Sequence, residues 1–296
     1  MANAKGKRLL IRSLGILLLV AMAFFFFWVF GLGTLVPNED VSPGRIVSEN
    51  GLNILIIGND ENQALGLPGR ADTIIVAHID LDTPSIFFLS IPRDTLVDIQ
   101  GYAQDKLNHA FTYGGVDLLR STTEELLNVP IHYYAVTDFD GFESIVDVLG
   151  GVDIEVDKRM YYQTYDGLID IEAGLQHLNG EQALQYVRFR QDELGDITRV
   201  SRQQNFLKAL IEECTSRGMI RKLPQLLVEV AKMVDTDMPY RYMIRLGLAL
   251  RSVDSDSVSS ATLPGDFATI NGISYWEGDS AAIQKLIEEN FGDEQL

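Results

Sequence analysis

The chain has 296 residues, of which 46% are hydrophobic and 22% charged, with a formal charge of -18 and an isoelectric point near 4.5. That composition excludes a disordered or collagen-like chain, and the acidic balance excludes a nucleic-acid-binding protein, which needs a net basic face to neutralise phosphates. One cysteine, Cys214, allows no internal disulfide, and four histidines without an HExxH pair provide no zinc motif.

The first 36 residues hold Lys5, Lys7, Arg8 and Arg12 and no acid, which leaves -22 for the rest of the chain. Residues 1–12 read as a basic cytoplasmic tail. From Ser13 to Leu35 the chain carries no charge, long enough at about 1.5 Å per residue to cross a hydrocarbon core of about 30 Å. Residues 13–36 are therefore expected to form a transmembrane helix. Positive charge on its N-terminal side only puts the N-terminus in the cytoplasm and the remainder outside. The run is too long for an ordinary signal-peptide core, and no small-x-small cleavage site follows, so a retained single-pass anchor in the cell membrane is expected. Residues 37–51 are turn-rich and polar and read as a linker, leaving 52–296 as one extracytoplasmic domain.

Within that domain Asn53–Ile57, Thr73–Ile79 and Ile86–Ile91 are short apolar runs bounded by turn residues, the pattern of buried strands. Val116–Leu127 and Phe139–Leu149 show helical spacing, the second stopped by Gly150-Gly151. Val152–Val156 alternates like a strand. Arg199–Arg217, Lys222–Met233 and Ala281–Asn290 look helical, and Cys214 falls on the apolar side of the first of these with Leu207, Leu210 and Ile211. The fold class is α/β, with helices flanking a central mixed sheet.

Three clusters carry candidate chemistry. Asp60 and Asp72 stand at the ends of consecutive strands across a glycine-rich loop, where two carboxylates can hold a hard cation such as Mg²⁺ or simply cap turns. Arg93 follows the third strand in SIPRDT, placed either to point into a site above the sheet or to pair locally with Asp94. The stretch 183–204 concentrates Arg188, Arg190, Arg199 and Arg202 around Asp196 in an otherwise acidic domain. On the following helix Arg199, Arg202 and Gln203 continue the apolar stripe of Phe206, Leu207, Leu210 and Ile211, which sets guanidinium groups at the edge of a buried face. Buried there without partners they would cost several kcal/mol. Either a bound di-anion gripped bidentately or the nearby Asp192, Glu193 and Asp196 would compensate. No GxxxxGK[ST] phosphate loop and no GxSxG elbow occurs.

Taken in order, NILIIGND, GRADTIIVA, LSIPRDT, KLNHAFTYGG, LLNVPIHYYAV, FDGFESIVDVLGGVDI, ALQYVRFR and GDITRVSRQQ resemble the LytR-CpsA-Psr family from Asn53 to Phe206, with looser similarity at LPGDFATINGISYW. The resemblance implies a phosphotransferase at the outer membrane face. It would move a phosphate-linked glycan, such as a teichoic acid or capsular polymer, from a polyprenyl-pyrophosphate carrier to peptidoglycan. It also implies that Asp60 and Asp72 ligate Mg²⁺ or Mn²⁺, and that Arg70, Arg93, Arg188, Arg190, Arg199 and Arg202, with Gln203, hold the pyrophosphate. The lipid tail would lie in an apolar pocket under the sheet. Asp60, Asp72, Arg93 and Asp196 are the candidate catalytic residues, and Asp72, Asp94 and Asp196 compete for the role of general base. Asn62 stands where the family often has an Arg, which removes one expected phosphate contact. The alternatives are a non-catalytic polyprenyl-phosphate carrier, which needs the arginines but not the aspartate pair, and an envelope-linked regulator.

Overall fold

Three of the expected apolar runs become the centre of a sheet because their side chains are buried on both faces. β1 (Leu52–Asn59), β2 (Ala71–Asp80) and β3 (Ser85–Ser90) pair antiparallel in succession. β6 (Tyr133–Thr137) adds parallel to β1, and β11 (Val258–Thr262) parallel to β3, giving the order β11-β3-β2-β1-β6. The computed structural model describes residues 51–59, 69–80, 82–163, 167–189 and 196–215, short stretches between 230 and 253, and residues 255–291. These belong to one compact unit, Val47–Leu296. The span expected at 13–36 lies outside them, and no helix among the described residues is long and apolar enough to cross a membrane.

Alternation along the strands divides the core. Leu55, Ile57, Ile74, Val76 and Leu89 face one side, where α1 (Leu107–Leu127) and α5 (Ser280–Asn290) cover them. Ile54, Ile75, Ala77, Ile79 and Phe88 face the other, against α4 (Asp196–Thr215) and Met238. Each fully buried Leu or Ile contributes about 1.5–3 kcal/mol relative to exposure. A second core forms from α2 (Phe139–Leu149), α3 (Gly180–Arg188) and the small sheets of β7 (Val152–Val156) with β10 (Gly174–Leu178) and β8 (Met160–Gln163) with β9 (Leu168–Ile171). α4 joins the two: Phe206 and Leu210 pack into the second core while Leu207 and Ile211 pack on the sheet. Cys214 sits on the same helix, and burial pushes its thiol up to about 11, so it is an inert packing residue at neutral pH.

The helix expected from Val116 starts nine residues earlier. α1 runs from Leu107 with a kink where Gly114 (φ -145) and Gly115 (φ 66, ψ -158) leave helical geometry. The Gly-Gly pair masks helical periodicity, and the first half is launched from the hairpin of β4 (Leu96–Val97) and β5 (Asp105–Lys106). α2 matches expectation: Asp138 accepts from the Gly141 N–H, and Gly150 (φ 95) ends it in the left-handed region. β6, the small β8–β10 strands, α3 and β11–β13 are additions to the predicted elements. α3 carries a legible signal in its Asn179/Gln182 capping box. So does the hairpin of β12 (Gly265–Ile270) and β13 (Ile273–Gly278), whose turn residues Asn271 (φ 52) and Gly272 (φ 81) form the Asn-Gly turn that suits strand twist. The helix expected at Lys222–Met233 falls almost wholly outside the described residues.

The scattered histidines are structural or local. Buried Asn53 donates from Nδ2 to the Pro130 carbonyl (2.8 Å), so its Oδ1 accepts from His78 Nδ1 (2.8 Å). The Asn53 N–H donates to His132 Nδ1 (3.0 Å), tying β1, β2 and the approach to β6 together without a buried polar deficit. His177 bridges β10 to the turn after α2. Its Nδ1 lies 2.6 Å from Asp153 Oδ1 and its Nε2 2.9 Å from the Gly150 carbonyl. Both partners are acceptors, so the full bridge needs the imidazolium. The Asp153 hydrogen bond, with the Gly150 bond, raises the His177 pKa above its ordinary value. A raised folded-state pKa means that the bridge stabilises fully below the unfolded value of about 6.5. That contribution is lost as pH rises through the folded pKa. A proton titration followed by NMR is expected to show His177 titrating above free histidine, and His177→Gln should remove this component from the pH dependence of urea unfolding. An unshifted titration would refute the doubly bonded imidazolium.

Candidate functional site

β1, β3, β6 and β11 all run in one sense, so their C-terminal ends and the start of β2 share one edge of the sheet. With both faces covered, this edge is where polar side chains emerge, the usual place for a site in an open α/β sheet. The chain leaves β1 through a register shift at Gly58/Asn59 and returns at Gly69. Gly69 packs so closely on Asn59 that a Cβ there would lie 2.0 Å from Asn59 Oδ1, so any larger residue would have to displace the Asn59 amide.

The first two sequence clusters meet here. Arg93, in the turn after β3, donates from Nη1 to Asp72 Oδ1 at 2.5 Å, and its Nε lies 3.8 Å from Asp94 Oδ2. The local Arg93–Asp94 pair is therefore the longer contact, and the bond to Asp72 on β2 the shorter one. Lys106, at the end of β5, donates to Asp94 Oδ1 at 2.8 Å. A carboxylate–guanidinium–carboxylate–ammonium chain results, and it is anchored from below: the Arg93 carbonyl accepts from the Asn108 N–H, and the Thr95 N–H donates to the Pro92 carbonyl. Asp72 and Arg93 are each about a quarter exposed. Their pairing is thus worth more than the ~0–1 kcal/mol of a surface ion pair and less than the ~3–5 kcal/mol lost on breaking a buried one.

α4 reaches the same edge. Gln203 Nε2 donates to Thr73 Oγ1 (3.2 Å), next to Asp72, and Gln204 Nε2 lies 3.5 Å from both Ser90 Oγ and Thr262 Oγ1. Arg202 turns inward: buried, it donates from Nη1 to the Phe189 carbonyl at 2.5 Å and lies over that ring. Desolvation lowers its pKa, with Tyr186 and Asp157 acting in the opposite direction, and it pins the end of α3. Arg188 is exposed, with its guanidinium 4.3 Å from the centroid of Phe139, the residue that opens α2. Arg70 is exposed just before β2. Asp60, Asn62 and Arg190, and the side chains of Asp196 and Arg199, lie outside the described residues, as do Asp192 and Glu193.

Beside β1 and β6, a cleft of about 450 Å³ opens between Asn59, Val136 and Asp138 at the strand ends and Phe111 and Val116, which flank the α1 kink. Lys232–Asp235 forms its far wall. Its lining mixes the apolar Phe111, Val116, Val136, Met233 and Val234 with the polar Asn59, Asp138, Lys232 and Asp235. Lys106 and Gln204 escaped the sequence reading, and the cleft lies at the strand ends, while the resemblance implies a pocket under the sheet. Lys106 stands beside LNHAF in plain view, but its place depends on a hairpin of two-residue strands that no periodicity announces.

The hard-oxygen donor Asp72, at an edge with further carboxylates, suits Mg²⁺ or Mn²⁺ better than a soft metal. Among the described residues no cluster of three His, Cys, Asp or Glu side chains is preformed for a metal.

A mixed sheet with helices on both faces and an ion-paired site at its strand ends defines an α/β enzyme-type domain. The LytR_cpsA_psr family model matches residues 36–291, and the chain belongs to that family. It is 34% identical over 267 residues to the polyisoprenyl-teichoic acid–peptidoglycan teichoic acid transferase TagU of Oceanobacillus iheyensis, covering 88% of this chain and 81% of that protein. It is also 34% identical over 223 residues to the regulatory protein MsrR of Staphylococcus aureus, covering 75% and 67%. The crystal structure of Bacillus subtilis TagV superposes with a TM-score of 0.73 at 29% identity, over 82% of this chain and 98% of that one. TagT bound to LIIa-WTA does so with 0.67 at 26% identity, over 84% and 96%.

If Asp72 and Arg93 act as a unit, the double-mutant cycle of Asp72→Asn and Arg93→Met, read by urea unfolding, should show a coupling of about 0.5–3 kcal/mol. Strict additivity would show that the pair contributes nothing as a pair.

Proposed function

We propose that this chain is a cell-wall glycopolymer transferase. It moves a phosphate-linked glycan from a polyprenyl-pyrophosphate carrier to a hydroxyl of peptidoglycan. The observation that carries the reading is the Asp72–Arg93–Asp94–Lys106 chain at the strand ends of a domain belonging to the family. Arg93 and Lys106 place two cations at this edge of a strongly acidic domain, each balanced by an aspartate until a phosphate takes its place, and charge neutralisation and positioning are the main needs of phosphoryl transfer. The apolar walls of the neighbouring cleft, Phe111, Val116 and Val136, suit the first isoprene units of the carrier.

In the reaction the acceptor hydroxyl oxygen forms a bond to the glycan-linked phosphorus. The bond from that phosphorus to the bridging oxygen breaks, and polyprenyl phosphate leaves with the electron pair. The hydroxyl proton passes to a carboxylate, for which Asp72, Asp94 and Asp196 are the candidates. Arg93, with Arg70, Arg188, Arg190 and Arg199, would hold the pyrophosphate. Arg202, buried and bonded to the Phe189 carbonyl, would fasten the end of α3 instead of touching phosphate, and Gln203 would keep Thr73 and the start of β2 in place. A divalent cation, Mg²⁺ or Mn²⁺, held by Asp60 and Asp72 would neutralise phosphate charge. Incubating the protein with a polyprenyl-pyrophosphoryl sugar, Mg²⁺ and peptidoglycan oligomers should yield a phosphodiester-linked product. Asp60→Ala and Asp72→Ala should each lower the rate by about 100-fold or more and weaken Mn²⁺ binding measured directly by calorimetry. Undiminished turnover in chelator would remove the metal from the mechanism, and no product from the wild type would overturn the transferase reading.

The chain is anchored by residues 13–36, with residues 1–12 in the cytoplasm and the domain outside. The one-sided basic charge of Lys5, Lys7, Arg8 and Arg12 supports this orientation. Protease added to cells with a permeable wall should digest the domain, and protection would reverse the topology.

A further inference from the structure

The charged chain at the sheet edge does not stop at Lys106. The ammonium of Lys106 that binds Asp94 also lies 5.5 Å from the centroid of the Tyr275 ring on β13. Its neighbour Asp105 accepts at Oδ2 from the Tyr113 hydroxyl (2.7 Å) and contacts His109 Nδ1 (2.7 Å) through the same oxygen. Tyr102 lies flat on Tyr113, with ring centroids 4.5 Å apart and planes 14° from parallel. These rings are not a core: Tyr102 is 52% exposed and Tyr113 41%. Nor are they loose. Tyr102 is held by its N–H donating to the carbonyl of buried Ile99, in a turn that Gly101 (φ 82) permits. Tyr113 is held by Asp105.

An exposed pair of stacked aromatic rings, edged by a carboxylate and an imidazole, matches one ligand chemistry closely. A pyranose has an apolar C–H face that lies against an aromatic ring and a polar rim that takes hydrogen bonds. Because the platform is already ordered, binding would not have to pay for arranging it. The charge of -22 outside the first 36 residues, with Asp105 at the platform's centre, disfavours an anionic polymer there and admits a neutral glycan. The platform joins the phosphate-binding edge through Asp105, Lys106 and Asp94, so a sugar seated on it lies beside the group to be transferred.

We propose that Tyr102, Tyr113 and Tyr275, with Asp105 and His109, form the acceptor subsite, which binds neutral N-acetylhexosamine rings of the glycan that receives the polymer. The inference rests on the transferase reading for its biological sense, but its binding test does not. The full chain in detergent micelles is titrated by calorimetry with a β-1,4-linked N-acetylglucosamine tetramer. Wild type should bind it, Tyr102→Ala should weaken binding about tenfold or more, as loss of a central aromatic contact does, and Tyr102→Trp should retain it. A polyprenyl pyrophosphate titrated into Tyr102→Ala should bind as it does to wild type. No tetramer binding by wild type, or equal binding by Tyr102→Ala, overturns the subsite. So does a Tyr102→Ala variant that loses affinity for phosphatidylglycerol vesicles but not for the tetramer, because the patch would then face lipid. Tetramer binding that depends on Tyr102, together with no transfer product from wild type, would uphold the sugar site and reject the transferase.

Discussion

Burial of the central sheet on both faces constrains everything else in this domain. Alternate residues of β1 and β2 go to α1 and α5 on one side and to α4 on the other, so neither face can carry a water-exposed polar site. Polar chemistry is confined to the strand ends. Because β1, β3, β6 and β11 point the same way, four C-terminal ends and the start of β2 collect at one edge. Asp72, Arg93 and Gln203, which are far apart in the chain, are brought close to one another by this topology alone.

α4 is the second organising element. It divides its apolar residues between the sheet and the smaller core of α2, α3 and the β7–β10 strands, while Gln203 and Gln204 touch three strands at the site edge. One helix thus couples the placement of the arginine-bearing stretch to the placement of the site edge. Arg202 bears a desolvation cost offset by its bond to the Phe189 carbonyl and its contact with that ring. It acts first as a fastener for the segment leading to Arg190. An arginine in a cationic cluster therefore need not be a ligand contact, and the charge census of the stretch overstates how many guanidinium groups face outward.

Much of the architecture was legible as pattern. The apolar runs that became β1, β2 and β3, and the α2 helix with its Asp138 cap and Gly150 stop, follow from burial and backbone preference acting over a few residues. The start of α1 was not, because Gly114-Gly115 breaks the periodicity from which a helix is inferred. β11 was equally hidden, since a five-residue edge strand with two serines has little apolar signal and exists because β3 offers it a partner. For the site, aspartates at strand ends and Pro-Arg-Asp after a strand were visible, but which aspartate Arg93 would hold was not. Asp94 is adjacent in sequence, yet Asp72 receives the shorter bond.

By itself the sequence determined the acidic character of the domain, the apolar N-terminal segment, the layering of strands and helices, and family membership through eight ordered motifs. Acidity, the apolar segment and the layering are properties of composition and of short-range periodicity, whereas family membership rests on the likeness of the ordered motifs to a known family; none of these requires knowing who neighbours whom. Tertiary structure alone decided the Asp72–Arg93–Asp94–Lys106 chain, the inward turn of Arg202, the cleft at the α1 kink and the tyrosine platform on Asp105. Apart from the i, i+4 contact of Asp105 with His109, each depends on contacts that no local rule specifies, set by strand register and by the hairpin of two-residue strands that carries Lys106. A hydrogen bond of under 3 Å is decided by packing many residues away, which is why chemistry at a site is the last thing a linear pattern can specify.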